Sequence, residues 1–211
     1  MSLIAQFVLT AAGGVLAGAA AGASVLWRQG RLLARARYDA GHDDTTGLPN
    51  RRALLAALAR RLRHGRPCGL VMVDLDRFKV INDTFGHATG NRVLTEVGRR
   101  LSDLPGPVAV AARLSGDEYA LLVDGDLDTT AAVAHAAHRA LTATPVRLPD
   151  RSWAIDASVG YTTNRLGVTA VDLLTEADTA MYHAKRTGAG VSRFGPSMRS
   201  QRAPRRQRDR P

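Results

Sequence analysis

The sequence predicts an α+β layer domain built on a mostly antiparallel sheet, and three observations carry that prediction. Helical and strand periodicities are mixed along the chain rather than alternating strictly. Two apolar runs, 108–114 and 119–123, are separated by Ser115, Gly116, Asp117 and Glu118, the spacing of two strands joined by a tight turn. No internal repeat is present, so a single layered core is expected.

Composition bounds the rest. With 45% hydrophobic residues among 211, one domain with appendages can build an ordinary packed core. The net charge of +10 would favour an anionic partner, but much of the excess lies before Tyr38 or after Met198. Aromatic residues make up only 5% and are not interleaved with basic ones, so the chain is not read as a nucleic-acid binder. Cys68 is the only cysteine, which excludes an intrachain disulfide and thiolate metal sites and leaves it as a core residue at a strand start.

Taken in order, residues 3–26 carry no charge and are just long enough for one membrane-spanning helix, giving an N-terminal segment 1–27. A cleaved signal peptide is the rival reading, but no basic residue precedes the apolar run. Arg28, Arg31, Arg35 and Arg37 follow Trp27 in a basic linker, 28–42, so the C-terminal side is expected in the cytoplasm, anchored to the inner (cytoplasmic) membrane by a single pass. Gly14, Gly18 and Gly22 line one helical face, either as a pairing stripe or as part of an Ala/Gly-rich span.

Residues 45–49 form a turn and Asn50 caps an amphipathic helix marked by Leu54, Leu55, Leu58 and Leu62. After the break at 65–67, residues 69–76 read as a buried strand ending in Asp74 and Asp76. Residues 78–87 start a short helix that ends at Gly86, and 91–101 form a second helix. The hairpin follows, then a helix over 129–143 capped by Asp128 and stopped by Pro145. A strand over 153–163, a helix over 170–186 and a short strand over 191–194 complete the domain, 43–195. Residues 196–211, rich in Arg, Pro, Ser and Gln, are expected to be a disordered tail, solvated or touching lipid headgroups.

The chemistry is expected where two pairs of carboxylates converge. Asp74 and Asp76 end one central strand, and Asp117 and Glu118 sit at a hairpin tip. Brought together, such groups repel unless a cation lies between them, and hard oxygen ligands suit Mg²⁺ or Mn²⁺. Acidic turns without a metal are the competing reading. Two ions on a nucleoside triphosphate would polarise its α-phosphorus, activate an attacking hydroxyl and stabilise departing pyrophosphate.

Three segments in order, DLDRFKVINDTFGH over 74–87 followed by Gly90, RLSGDEY over 113–119 and ADTAMYHAK over 177–185, resemble the successive signatures of the GGDEF family, the diguanylate cyclases, with SGDEY replacing the usual signature. The resemblance implies a palm-like, nucleotidyl-cyclase-like domain with a five-stranded sheet flanked by helices. It implies condensation of two GTP molecules into cyclic di-GMP and pyrophosphate, by attack of a ribose 3′-OH on an α-phosphate between two facing domains of a homodimer. By the same match Asp74, the Leu75 carbonyl and Asp117 hold the metal, and Glu118 assists it or takes the 3′-OH proton. Phe78 and Lys79 approach the phosphates, Asn82 recognises guanine, Gly116 admits a phosphate close to the backbone and Lys185 contacts the triphosphate.

Several positions depart from the family pattern. Ser115 and Tyr119 are mild replacements for Gly and Phe. Asn91 stands where an Asp usually accepts from guanine, which relaxes the expected purine choice, and its amide nitrogen meets donors with a donor. Ala189 stands where a phosphate-binding Arg is usual, with Arg186 and Arg193 as substitutes; Thr45 replaces Leu in the entry turn. Gly106 and Ala109 fill the positions of the Arg-x-x-Asp motif used for feedback inhibition, so that inhibitory site is expected to be absent. The expected function is a membrane-anchored diguanylate cyclase; the alternative is a catalytically weak nucleotide-binding or interaction module.

Overall fold

The computed structural model describes residues 27–32, 35, 38–148 and 152–201. Two compact units are present, Met1–Gly41 and His42–Pro211. In the first, residues 27–32 are helical and exposed, and the Arg31 guanidinium lies 4.7 Å from the centre of the Trp27 ring. The expected span over residues 3–26 lies outside the described residues. The membrane location drawn from it is corrected, because no helix among the described residues is long and apolar enough to cross a membrane. The longest of them, Ala170–Thr187, carries Asp172, Glu176, Asp178, Lys185 and Arg186, charges that hydrocarbon does not tolerate.

The second unit holds a mixed sheet. Its strands are β1 (Cys68–Leu75), β2 (Val108–Ser115), β3 (Glu118–Asp124), β6 (Ala157–Thr163) and β7 (Val191–Arg193), in the order β2-β3-β1-β6-β7. All neighbours are antiparallel except β6 and β7. A separate two-stranded hairpin joins β4 (Val146–Arg147) to β5 (Ser152–Trp153). The helices are α1 (Arg51–Arg63), α2 (Phe78–Phe85), α3 (His87–Ser102), α4 (Leu127–Thr142) and α5 (Ala170–Thr187).

Strand alternation sorts the core into two layers. Val71, Val73 and Leu75 of β1, Tyr119, Leu121 and Val123 of β3, and Val159 and Tyr161 of β6 pack with α2, α3 and α4. Leu70, Met72, Ala120 and Leu122 face the other way, onto Leu54 and Leu58 of α1 and Leu173, Ala177 and Met181 of α5. Because β1 is buried on both faces along its whole length, it reads as a continuous apolar run rather than an alternating one. Cys68 opens it, fully buried, as its composition suggested.

Boundaries moved where a cap or a partner decided them. Helix α4 begins at Leu127, because extended Asp126 accepts from the Thr129 amide; Asp128 lies inside the first turn. Helix α3 begins at His87, separated from α2 only by Gly86 at φ 79°. The expected strand over 153–163 divides, since Trp153 pairs with Val146 and stacks edge-on against Phe85, whereas pairing with β1 begins at Ala157. Residues Pro196–Gln201 form a 3-10 helix rather than the start of a disordered tail.

Candidate active site at the end of the central strand

The site begins with strand parity. Asp74 is opposite Glu118 on one side and Ser158 on the other. All three even-numbered positions share the face covered by α5, so Lys185, near the end of that helix, can reach the strand. Its ammonium donates to Asp74 Oδ2 and lies 3.5 Å from Asp76 Oδ1. Ser158 Oγ is 3.1 Å from both oxygens of Asp76. A cation thus already bridges the two carboxylates.

The hairpin tip is held in place by backbone and by Arg113. The Leu75 amide donates to the Asp117 carbonyl at 3.3 Å, tying the turn to the end of β1. Gly116 adopts φ 51°, a conformation in which a Cβ is strained. Buried Arg113 donates from Nε and Nη2 to the Gly116 carbonyl at 2.9 and 2.7 Å, and from Nη1 to Asp43 Oδ1 at 2.8 Å. This guanidinium joins the turn to the first residues of the domain. Glu118 Oε2 accepts from Ser115 Oγ at 3.1 Å, so the replacement Ser115 orients a carboxylate. Tyr119 is fully buried and its hydroxyl donates to the Leu94 carbonyl at 2.7 Å, which satisfies the polar atom that Phe would lack.

Electrostatics follow from this packing. Burial pushes the Asp74 carboxyl up to about 6, against the pull of Lys185, and Asp117 and Asp76 add to the rise. Glu118 is raised as well, first by burial, then by Asp178 and Asp117, with Ser115 opposing. Burial opposes the charge of Lys185, but its contact with Asp74 prevails and raises its pKa.

Among the described residues, no group of three or more His, Cys, Asp or Glu side chains stands ready as a metal cage. Glu118 is turned to Ser115, and Asp74 and Asp76 are turned to Lys185. The oxygens at hand, from Asp74, Asp117 and the Leu75 carbonyl, are nonetheless hard donors of the kind a small divalent cation takes, and Asp74 and Asp76 already hold one positive charge, that of Lys185.

The nucleotide-binding candidates lie on α2 and α3. Phe78 is 7% exposed and belongs to the core, so its part toward a phosphate falls to the first turn of α2, where helix amides favour anions. Lys79 is exposed beside it. Asn82 lies against Gly90: a Cβ built there would come 1.9 Å from Asn82 Oδ1. Exposed Asn91 follows Gly90 directly in α3. Arg186 lies 6.0 Å from the Tyr182 ring centre, while Ala189 uses its amide to cap the α5 carbonyl of Ala184. Sequence reasoning missed Ser158 and Asp43 as site-building residues. A polar residue on a buried face was the available signal for Ser158; Asp43 offered none, since its partner is remote.

A family model described as "Diguanylate cyclase, GGDEF domain" matches residues 40–190. The chain belongs to the GGDEF family. A Caulobacter vibrioides signalling protein of uncharacterised function is 38% identical over 75% of this chain and 20% of its own length. The diguanylate cyclase TpbB of Pseudomonas aeruginosa is 34% identical over 74% of this chain and 38% of its own. This GGDEF chain therefore spans well under half the length of these curated relatives. The crystal structure of the coiled coil and GGDEF domain of Caulobacter crescentus DgcB, in complex with c-di-GMP, superposes with a TM-score of 0.75 at 27% identity, covering 85% of this chain and 98% of that one. The five-stranded sheet flanked by helices is the palm-like fold of that family.

Proposed function

We propose that the unit His42–Pro211 is a diguanylate cyclase domain that condenses two GTP molecules into cyclic di-GMP, releasing two pyrophosphates. The observation that supports it most is the meeting of Asp74, Asp117, Glu118 and Lys185 at one end of β1, within a chain of that family. Asp74, the Leu75 carbonyl and Asp117 would hold Mg²⁺ or Mn²⁺, which supplies charge neutralisation at the triphosphate and lowers the pKa of a coordinated hydroxyl.

The chain's own groups divide the remaining work. Lys185, held between Asp74 and Asp76, would be released toward the β- and γ-phosphates were those carboxylates to hold a divalent ion. Glu118, made more basic than an exposed glutamate by its burial, accepts the ribose 3′-OH proton as the oxygen attacks the α-phosphorus of the second nucleotide. Gly116 brings backbone close to that phosphate, and Asn82 and Asn91 read the base. Each domain binds one nucleotide, so two copies must face each other.

The second reading, a weak nucleotide-binding module, rests on Asn91 and Ala189. Incubating the unit from His42 onward, which keeps the Asp43 tether of Arg113, with GTP and Mg²⁺, and separately with ATP, distinguishes the two. Cyclic di-GMP formation supports the cyclase, and no cyclic dinucleotide at high protein concentration refutes it. Asp117→Ala abolishes turnover if the metal assignment holds, and Asn91→Asp raises the rate with GTP relative to ATP. An active Asp117→Ala protein overturns the assignment.

A further inference from the structure

A second concave surface lies away from the carboxylates. An open groove of about 860 Å³ runs between α3 and the segment linking α4 to β4. Its charge is lopsided: Arg92, Arg99, Arg100 and Arg147 line it against the single carboxylate Glu96. An arginine-rich helix face is commonly just solvated, but two features separate this groove from such a face.

First, its floor is rigid. Arg100 Nη1 donates to the carbonyls of Ala140, Leu141 and Thr144 at 3.3, 3.3 and 2.6 Å, and Nη2 to that of Pro145 at 3.1 Å. Its Nε is bound to Glu96 Oε1 at 2.9 Å, so every part of this guanidinium is engaged in capping the end of α4 and fixing the turn that leads to Arg147. Second, the charges that remain are unspent. Glu96 is committed to Arg99 and Arg100, which hold its carboxyl down to about 2, and Arg99 also takes Asp103. Arg92 on α3 and Arg147 on β4 are exposed and make no ion pair among the described residues. Asn91 and the accessible apolar Ala140 and Pro145 also line the groove.

Two free guanidiniums from different elements, on a pre-shaped floor with an apolar strip, match an anion that also carries a flat apolar part. We propose that this groove binds a phosphate ester of nucleotide size, with Arg92 and Arg147 on the phosphates and the strip of Ala140 and Pro145 under the base. The groove shares Asn91 with the proposed base-reading residues but contains neither the carboxylates nor Lys185, so phosphate binding in it does not depend on the cyclase reading.

The test is calorimetric titration of the full chain with ADP, and separately with inorganic pyrophosphate, in EDTA so that the carboxylate centre holds no divalent ion. ADP is expected to bind at least several-fold more tightly than pyrophosphate, and binding is expected to weaken with added salt. Arg92→Ala/Arg147→Ala lowers ADP affinity at least tenfold while its circular dichroism and melting temperature stay at the wild-type values, since both side chains are exposed. Lys185→Ala leaves ADP binding unchanged. Unaltered affinity in the double arginine variant, loss of binding in Lys185→Ala, equal affinity for pyrophosphate, or no binding at millimolar ADP each overturn the proposal.

Discussion

Asp74 shows how one residue carries opposed demands. The residue is 9% exposed, and burial raises its pKa above the ordinary 3.8 to about 6. A folded-state pKa above the unfolded value means that the fold prefers the protonated acid. The group's contribution to stability is therefore fully present below about 3.8 and declines as pH rises through about 6. Without divalent ions, the melting temperature is expected to fall across that window, and Asp74→Asn to flatten the decline. Under the proposed metal assignment, Mg²⁺ is expected to offset the loss at the upper end because it takes the ionised form. Thermal melts with and without MgCl₂ check this, and an Mg²⁺-insensitive profile contradicts it. Asn82 illustrates a second residue-level constraint. Gly90→Ala puts a Cβ 1.9 Å from Asn82 Oδ1, the free end of a side chain, so Asn82 turns aside while the fold survives. The KM for GTP is expected to rise about tenfold through one lost polar pairing, with little change in melting temperature.

At the scale of elements, α5 is the part that brings β6, β1 and the site together. Gly160 lets the helix backbone approach the sheet: a Cβ there would come 1.9 Å from the Met181 amide nitrogen and 2.4 Å from the Ala177 carbonyl. Those atoms are backbone and cannot step aside, so Gly160→Ala is expected to cost about 3 kcal/mol and to displace Lys185 from Asp74. Chemical denaturation measures the first effect; a denaturation midpoint at the wild-type value refutes it. The hairpin has its own tether. Arg113→Ala removes three donors to Gly116 and Asp43 and is expected to cost about 1.5–3 kcal/mol, leaving the turn that carries Asp117 loose. Arg113→Lys recovers little, because one ammonium cannot span both acceptors in the guanidinium plane.

For the whole molecule, the proposed condensation requires two nucleotides held on separate domains, whereas one chain presents one Asp74–Asp117 site. The rate per domain is expected to fall on dilution as facing pairs separate, which assays over a range of protein concentrations detect. A rate per domain independent of concentration shows that the pair is preformed or unnecessary. Charge is also unevenly placed at this scale, with the carboxylates at the end of β1 and a basic groove between α3 and α4, so that an anionic ligand meets different fields on different faces.

Much of this arrangement follows from local pattern. The continuous apolar run of β1, the leucine stripe of α1, the Asn50 cap and the Ser-Gly-Asp-Glu turn were all legible, because period and turn chemistry depend on near neighbours. The ordered motifs named the candidate residues of the site for the same reason. What no local pattern contains is the pairing of distant charges. Lys185 meets Asp74 across 111 positions and Arg113 meets Asp43 across 70, and only the packing of α5 on β6 and of the entry turn on the hairpin decides either contact. Sequence by itself determined which side chains could do chemistry and on which face of each strand they stand. The tertiary structure decided that a lysine, rather than a ring of acids alone, sits between the carboxylates, since long-range burial energies set which remote groups share a desolvated site.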